Sequence, residues 1–264
     1  MSSDVLKFIP IILLTGILSG CYSRTEGCLD SYAANFDVSS DDACSTCCVY
    51  PSLILSIQNR YGDSAFHQND TLINRFGQKY IILGMRYYMS DFSLYQNNND
   101  LTVREVIQNT LTGEIIPDEI KIAKSDESGI KCGTVRTYGS FDSIRFVMGI
   151  DGKFLEEGLT TLPAGHVLEK QNRINDAQGN MAAAGIRYKV ISPVDTIINI
   201  FISTDFKLQY TIRDSISETR QGQPITGKII ADYQQLLDDV DLLAPYIEIR
   251  NKVTENCRRF LIVR

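Results

Sequence analysis

The sequence contains no tryptophan and only two histidines among its 264 residues. Chemistry that needs a cluster of imidazoles, such as a multi-histidine metal centre, therefore has very little material. Basic residues are also in deficit, because 26 Lys and Arg face 32 Asp and Glu and leave a net charge of −6. An acidic surface repels phosphate backbones, so the composition argues against a generic nucleic-acid-binding protein.

The sequence also lacks an apolar run long enough to cross a bilayer. The uncharged run at residues 8–18 would extend roughly 16 Å as a helix, about half of the hydrocarbon core. Later apolar runs are short and interrupted, so we expect no transmembrane helix in the mature protein. With 44% hydrophobic and 22% charged residues, the composition is that of a folded globular chain.

The apolar run has the length of the hydrophobic region of a secretion signal. It leads into Leu18-Ser19-Gly20-Cys21, which resembles the bacterial lipobox, where small residues admit the lipoprotein signal peptidase and the cysteine is lipidated. We therefore predict a lipoprotein signal peptide over residues 1–20 and a lipid anchor on Cys21 that tethers the protein to a membrane. Tyr22 stands where an inner-membrane retention signal usually has Asp, which favours the outer membrane, at its periplasmic face or at the cell surface. The alternatives are an ordinary secretion signal followed by a chance cysteine, or a buried hydrophobic segment.

Six cysteines remain after Cys21, and an even number in an oxidising compartment indicates disulfides. The candidates are Cys28, Cys44, Cys47, Cys48, Cys132 and Cys257. Their pairing stays open; a Cys28–Cys44 bridge would contribute about 3 kcal/mol by restricting the unfolded chain. The adjacent Cys47 and Cys48 are each expected to pair elsewhere. The alternative is a zinc site on Cys44, Cys47 and Cys48, although zinc sites usually show two well-spaced cysteine pairs.

Residues 21–50 are predicted to form a small cysteine-rich module, which needs covalent support because so short a segment buries almost no core. Within it, residues 27–44 resemble a short cysteine-bounded repeat of exported bacterial proteins. The repeat has the pattern Gly-Cys-x-Asp-x-x-Ala-x-Asn-Tyr-Asp, then Asp-Asp and a closing Cys, and Phe36 replaces the usual Tyr. The Asp and Asn oxygens could ligate calcium. Hydrogen bonds from these side chains to nearby backbone groups in turns are the favoured expectation.

Residues 51–264 carry the pattern of a β domain. Apolar and polar residues alternate at a period of two, which is typical of half-buried antiparallel strands. The clearest runs are 53–57, 144–151, 198–202 and 207–213. Turn-forming stretches separate the runs without interleaved helices, so we predict an all-β fold, an antiparallel β-sandwich. Within residues 81–95 the alternation changes face, which predicts a bulge at Ser90-Asp91.

One helix is predicted near the end of the chain. Apolar residues spaced i, i+3, i+4, i+7 indicate a short helix over about residues 232–244, with Asp232 as its N-cap and Pro245 as its stop. Residues 260–263 are apolar and are predicted to form the last strand. The C-terminal region therefore adds one helix to an otherwise β domain.

Two motifs in the predicted sandwich resemble the MbnP-like domain, a family named for periplasmic proteins associated with methanobactin and copper handling. Residues 85–92 read Met-Arg-Tyr-Tyr-Met-Ser-Asp-Phe, similar to the family's Leu-Arg-Tyr-Tyr-Ile-Ser-Asn-Ile strand. Residues 140–151 read Ser-Phe-Asp-Ser-Ile-Arg-Phe-Val-Met-Gly-Ile-Asp, similar to Gly-x-Tyr-Asp-x-Ile-x-Phe-x-Ile-Gly-Val-Asp. The resemblance extends over about residues 51–264. It implies a β-sandwich in an exported, often lipidated protein, with copper as a candidate ligand.

The residues available for copper are few. The family's copper chemistry uses His together with an oxidised Trp, and this chain has no Trp. His67 and His166, both in predicted loops, could bind Cu(II) or Zn(II) together with a carboxylate. A solitary surface histidine is the commoner situation and the competing explanation for each. Met85 and Met89 would lie about 13 Å apart along a strand, so we expect them to pack in the core rather than share one Cu(I) ion.

The sequence offers no convincing enzymatic motif. Gly222–Lys228 approaches a phosphate-binding loop, but Ile229 replaces the Ser or Thr that would hold Mg²⁺. A serine-hydrolase site would have only His67 or His166 as its base. We therefore expect no catalytic residues and favour a non-enzymatic lipoprotein that binds a ligand or a metal. The competing hypothesis is a structural or interaction subunit of an outer-membrane protein assembly.

Overall fold

The computed structural model describes residues 22–44, 46–108, 113, 115–150, 162, 165–192 and 194–263. Strands are far more common than helices among these residues, which confirms the predicted all-β sandwich with a cysteine-rich N-terminal region. The predicted signal peptide and the predicted lipid anchor at Cys21 lie outside the described residues. Within the described ranges, no helix is long and apolar enough to cross a membrane.

The described residues form seventeen strands and two helices. In chain order the strands are β1 (Glu26–Gly27), β2 (Asp42–Ala43), β3 (Ser52–Tyr61), β4 (Ser64–Ala65), β5 (Thr71–Ile73), β6 (Lys79–Gln96), β7 (Asn99–Thr102), β8 (Val106–Gln108), β9 (Ile115–Pro117), β10 (Ile120–Lys124), β11 (Gly129–Thr134), β12 (Ser143–Met148), β13 (Ala182–Ser192), β14 (Thr196–Ser203), β15 (Leu208–Ile212), β16 (Ile225–Asp232) and β17 (Leu261–Val263). The helices are α1 (Gln234–Leu237) and α2 (Tyr246–Phe260).

Two sheets enclose the main core. The larger sheet has the order β14-β13-β6-β12-β15, and β5, β7 and β10 also pair with the long strand β6. The smaller sheet has the order β11-β3-β16-β17, with β4 beside β3. Strands of the larger sheet pair antiparallel, as predicted, but β3 and β16 in the smaller sheet are parallel. This parallel pair forms because β16 returns to β3 only after the chain has built the larger sheet, and so long a connection can restore the direction of β3.

The predicted alternation places apolar side chains between the sheets. Leu53 and Leu55 of β3 and Ile144 and Phe146 of β12 are fully buried. The sheets approach closely at Gly227 of β16, where a Cβ atom would lie only 2.6 Å from Cδ1 of Ile144. An added Cβ would require buried methyl groups of Ile144 and Ile212 to shift within a close-packed core, so glycine suits this contact.

Strand β6 changes face twice. Asp91 has a φ of 54°, and the register of β6 against β12 shifts beside it, which confirms the bulge predicted at Ser90-Asp91. A left-handed conformation is tolerated by Asp better than by most residues. A second irregularity, which the sequence did not predict, lies at Leu83, where the register against β13 shifts. Ile82 is therefore buried, although Ile81 and Leu83 share the sequence alternation of the buried Met85.

The C-terminal region contains two helices instead of the one predicted over about 232–244. Only α1 is helical within that range, although Leu236 and Leu237 are buried as their spacing indicated. Pro245 does not stop the chain's helical structure but stands at the start of α2. Proline is tolerated there because its missing N–H would have no partner in the first turn. Helix α2 buries one face that includes Ile249, Val253, Cys257 and Phe260.

The N-terminal module is held by two disulfides. The bridges are Cys28–Cys48 and Cys44–Cys47, so the Cys28–Cys44 bridge considered from the sequence is not formed. Cys132 and Cys257, also predicted as disulfide candidates, are free thiols. They lie on separate elements, β11 and α2, and each is buried among core side chains.

The acidic side chains of the module bond to the protein itself. Asp37 accepts a hydrogen bond from the Ser39 backbone N–H, and Asp41 accepts one from the Thr25 backbone N–H. Asp30 accepts hydrogen bonds from Tyr50 at 2.7 Å and from Nε of Arg136, in the sandwich, at 2.6 Å. The geometry therefore agrees with the turn-forming role expected of these carboxylates, and Asp30 attaches the module to the sandwich.

Candidate ligand-binding cavity

The outer face of the larger sheet carries two arginines opposite glycines. The same pattern, Gly-x-Arg, occurs in β6 as Gly84-Met85-Arg86 and in β13 as Gly185-Ile186-Arg187. Because the two strands pair antiparallel, Arg86 lies opposite Gly185 and Arg187 lies opposite Gly84. The intervening Met85 and Ile186 are buried in the sandwich core, so both arginines project to the other face. Gly84 leaves room for a side chain beside Arg187, whereas the space above Gly185, beside Arg86, is filled by Ile174 and Phe201.

Residues 165–181, which we call the covering segment, lie over this face. Tyr88 of β6 holds the segment with its hydroxyl, which accepts a hydrogen bond from the Ile174 backbone N–H at 3.1 Å and donates one to the Val167 carbonyl at 3.3 Å. Arg86 also donates a hydrogen bond to the carbonyl of Asn172. Leu168 and Ile174 of the segment form a small apolar cluster with Tyr88, Ile120, Ile150 and Ala182. The segment is thus packed against the sheet and forms a fixed outer wall.

A buried charged cluster fixes the beginning of the covering segment. Nε2 of His166 lies 3.3 Å from Oδ1 of Asp118, while Nδ1 accepts a hydrogen bond from the Leu168 backbone N–H at 3.1 Å. Oδ2 of Asp118 pairs with Lys121 at 2.7 Å, and Lys121 lies 3.0 Å from Glu105. Burial raises the pKa of the Asp118 carboxyl, but the neighbouring imidazole and ammonium groups lower it, and the net pKa lies below its ordinary value.

A cavity of about 390 Å³ lies between the covering segment and the sheet. Its wall has four cationic side chains and one carboxylate: Arg86, Lys124, Arg173, Arg187 and Asp126. Nζ of Lys124 lies 2.7 Å from Oε1 of Glu127 and forms a salt bridge with it. The carboxylate-bearing residue, Asp126, is exposed. Ile174 and Phe201 supply apolar side chains to the wall, whereas Met85 and Ile186 line it through their backbone because their side chains are buried in the sandwich core. The cavity therefore combines positive charge with an apolar surface.

Three buried polar atoms in this wall have no hydrogen-bond partner in the part of the chain that the structure describes. They are Nε of Arg86, Nε of Arg173 and Oδ1 of Asn175. Leaving a buried donor or acceptor unpaired costs about 1–3 kcal/mol per group. Two larger cavities, of about 560 and 660 Å³, have none of these unpartnered atoms in their walls. The smaller, arginine-lined cavity is therefore the better candidate for a binding site.

The structure does not bring His67 and His166 together. His67 is exposed in the turn before β5, next to Asn69, whose backbone N–H donates to the Ile82 carbonyl of β6. His166 is buried beside Asp118. Asp118 lies two residues before Ile120, which pairs with Ser90 of β6. Ile82 and Ser90 are separated by roughly 25 Å at about 3.3 Å per strand residue. The copper or zinc site predicted on both imidazoles is therefore not formed.

The sulfur atoms fall into two groups. Met85 and Met89 are buried in the main core, where the sequence led us to expect them. The sulfur atoms of Cys44, Cys47 and Cys48 lie within 4.8 Å of one another. All three belong to disulfides, and a metal ion binds the thiolate form of cysteine, so the zinc alternative would require reduction of these bridges.

These features define a class: a β-sandwich with a disulfide-linked N-terminal module and a basic cavity under a covering segment. No protein-family model matches the chain, and no curated protein matches it. One solved structure that resembles it is MbnP from Methylosinus trichosporium, with a TM-score of 0.48 and 10% sequence identity over 72% of this chain and 78% of that chain. At this level the likeness is confined to the fold.

Sequence reasoning missed the residues that line the cavity. Arg86 was part of a strand motif, and neither Arg173 nor Arg187 was singled out. One available signal was the repetition of Gly-x-Arg-Tyr at residues 84–87 and 185–188. When two neighbouring antiparallel strands both carry this repeat, each arginine can lie opposite a glycine of the other strand. The sequence alone did not reveal this arrangement, because it depends on β6 and β13 being paired.

Proposed function

We propose that this protein is an exported, lipid-anchored and non-enzymatic binding protein whose ligand is a small molecule held in the arginine-lined cavity. The observation that carries the proposal is the pair of buried, unpartnered Nε donors of Arg86 and Arg173 in the cavity wall. A volume of about 390 Å³ is within the range of small-molecule sites. A bound molecule with acceptor atoms would satisfy donors that the described residues leave unpaired.

Two features support export and anchoring. The lipobox-like Leu18-Ser19-Gly20-Cys21 follows an apolar leader, and the two disulfides of the module suit an oxidising compartment. Tyr22, in place of Asp, supports the outer membrane as the destination. We expect labelled palmitate to enter the wild-type protein in bacterial cells and not the Cys21→Ser variant. Equal labelling of both, or labelling of neither, would reject the anchor.

The character of the cavity wall supports binding without catalysis. Its described residues include no His and no Cys, and its one carboxylate, Asp126, is exposed. The imidazole of His166 is engaged with Asp118 and Leu168 outside this wall. The wall thus supplies charge, hydrogen-bond donors and apolar contact, which are the elements of ligand recognition. Its described residues do not include the pair of a nucleophile and a base that covalent catalysis uses.

A cavity-filling variant tests the site directly. A Cβ atom on Gly84 would lie 3.6 Å from Nε2 of Gln68 and 4.0 Å from Oγ of Ser125, so a side chain can enter the cavity without a clash at its root. We expect mass spectrometry of the denatured protein, purified from its native membranes, to find a released small molecule with the wild type and not with Gly84→Leu. Gly129→Leu, at an exposed position of β11, is the matched control and should release it. No released molecule from the wild type, or equal amounts from wild type and Gly84→Leu, would contradict the proposal.

The sulfur cluster supports a second candidate function, metal binding by the N-terminal module. The sulfur atoms of Cys44, Cys47 and Cys48 lie within 4.8 Å of one another in the oxidised protein, and reduction of both bridges by an external dithiol would free all three as thiols. Soft thiolate ligands suit Cu(I) and Zn(II). We expect the reduced protein to bind one of these ions, with Cys47→Ser weakening the binding and the oxidised protein showing none. Equal binding by oxidised and reduced protein, or no binding by the reduced protein, would exclude this function.

A further inference from the structure

We propose that the ligand of the arginine-lined cavity is an amphipathic oxyanion: a carboxylate or phosphate ester joined to an apolar body, with the oxyanion between the arginines and the body against Ile174 and Phe201. This inference rests on the proposed function and adds the chemical class of the ligand. It concerns charge and shape, whereas the proposed function requires only that a small molecule occupies the cavity.

The charge of the wall selects an anion. Lys124 is already paired with Glu127, which leaves Arg86, Arg173 and Arg187 against the single exposed carboxylate of Asp126. The chain as a whole carries a net charge of −6, so this concentration of positive charge is local. Arginine presents planar, forked donors that match the two oxygens of a carboxylate or phosphate.

The positions of the arginines strengthen this argument. Arg86 and Arg187 occupy diagonal positions on neighbouring strands, within reach of long side chains, and their like charges repel each other. Arg173 approaches from the covering segment on the other side of the same cavity. An oxyanion placed among the three groups relieves their repulsion and accepts hydrogen bonds from the unpartnered Nε atoms of Arg86 and Arg173. A neutral or cationic ligand would relieve no repulsion.

The size and lining of the cavity require more than a bare anion. Inorganic phosphate or acetate would leave most of the 390 Å³ unfilled. Ile174 is buried, and Phe201 continues the apolar surface beside it. Burial of an apolar body on these side chains adds a favourable contribution that water in the cavity would not provide.

Three probes that share a six-carbon body separate charge from shape. We would titrate hexanoate, hexyl phosphate and the neutral hexanamide into the anchored full-length protein in phosphatidylcholine nanodiscs, with empty nanodiscs as the blank, and measure affinity by ligand-observed NMR. We expect at least one of the two anions to bind, with an affinity that falls as ionic strength rises, and hexanamide to bind about tenfold more weakly or not at all. A preference for one anion identifies a carboxylate or a phosphate ester as the group recognised, and equal affinities support the shared oxyanion chemistry.

Charge-removing variants locate the binding. We expect Arg173→Gln and Arg187→Gln each to lose about tenfold in affinity for the anions, because each removes one charged donor. Arg213→Gln, at an exposed position after β15 and outside the cavity wall, is the control and should bind as the wild type does. Arg187 is exposed, so its substitution should leave the fold intact.

Several outcomes would overturn the inference. They are hexanamide binding as tightly as the anions, no binding of either anion at millimolar concentration, and anion affinities that neither cavity variant changes. In each case a molecule released from the native protein and excluded by Gly84→Leu would still support the proposed function. The ligand class and the presence of a ligand are thus tested separately.

Discussion

Replacement of Tyr88 by Phe tests whether one hydroxyl holds the covering segment. Tyr88 is fully buried, and its hydroxyl accepts from the Ile174 N–H and donates to the Val167 carbonyl. The substitution removes both bonds and leaves a buried N–H unpaired. At about 1 kcal/mol for each bond, we expect a loss of about 2 kcal/mol. For a chain of this size, that loss lowers the melting temperature by about 4–8 °C.

Tyr188→Phe is a matched control on the neighbouring strand. Tyr188 is also fully buried, but it faces the main core, and its hydroxyl has no hydrogen-bond partner among the described residues. Removing an unpaired buried hydroxyl should leave the free energy of unfolding unchanged or raise it by up to about 1 kcal/mol. The two variants delete the same atom, so any difference between them reflects the partners of Tyr88.

Urea denaturation and amide hydrogen exchange measure the effect. If the covering segment opens on its own in Tyr88→Phe, exchange at the Ile174 amide should accelerate about 30-fold, the equivalent of about 2 kcal/mol. Equal loss of stability in Tyr88→Phe and Tyr188→Phe would refute the argument. So would an unchanged exchange rate at Ile174 together with an unchanged urea midpoint.

Three further predictions concern the rest of the molecule. The pKa of Asp118 is below its ordinary value of 3.8, so its carboxylate stabilises the fold above that pH. The urea midpoint of the wild type should therefore fall on acidification below about pH 4, and that of Asp118→Asn should fall less steeply. An equally steep fall in both proteins would contradict this prediction. Burial raises the pKa of both free thiols, Cys132 and Cys257, and raises that of Cys257 to about 12. Both should therefore react with Ellman's reagent only after unfolding. Rapid reaction of the native protein would refute their burial. Gly227→Ala should destabilise the protein by about 1–3 kcal/mol in urea denaturation, because its Cβ would lie 2.6 Å from a side chain of the facing sheet, and an unchanged midpoint would show that the sheets can separate at little cost.

Local patterns in the sequence were sufficient for much of the fold. The alternation at residues 53–57 and 144–148 predicted strands that are observed, and the change of phase near Ser90 located a real bulge, because side-chain direction in a strand depends only on neighbouring residues. Pro245 shows where such patterns become ambiguous, since proline ends one helix and can begin the next. The predicted stop concealed α2.

The candidate site could not be predicted in the same way. Neither predicted imidazole ligand lines the cavity: His67 lies in an exposed turn, and His166 helps to fix the covering segment. The cavity residues are ordinary strand and loop positions when they are considered one at a time. Their significance depends on partners about 100 residues away in the sequence, as the pairing of Arg86 with Gly185 shows.

By itself, the sequence determined the strand-forming periodicity, the acidic composition, the cysteine-rich module and the expectation of a leader with a lipid anchor. The tertiary structure alone decided that β3 and β16 run parallel, that Cys28 pairs with Cys48, and that two Gly-x-Arg runs meet beneath the covering segment. The physical reason is that periodicity and turn chemistry act over a few residues. Strand register and disulfide pairing depend instead on how the whole chain packs, and that packing places three arginines around one cavity.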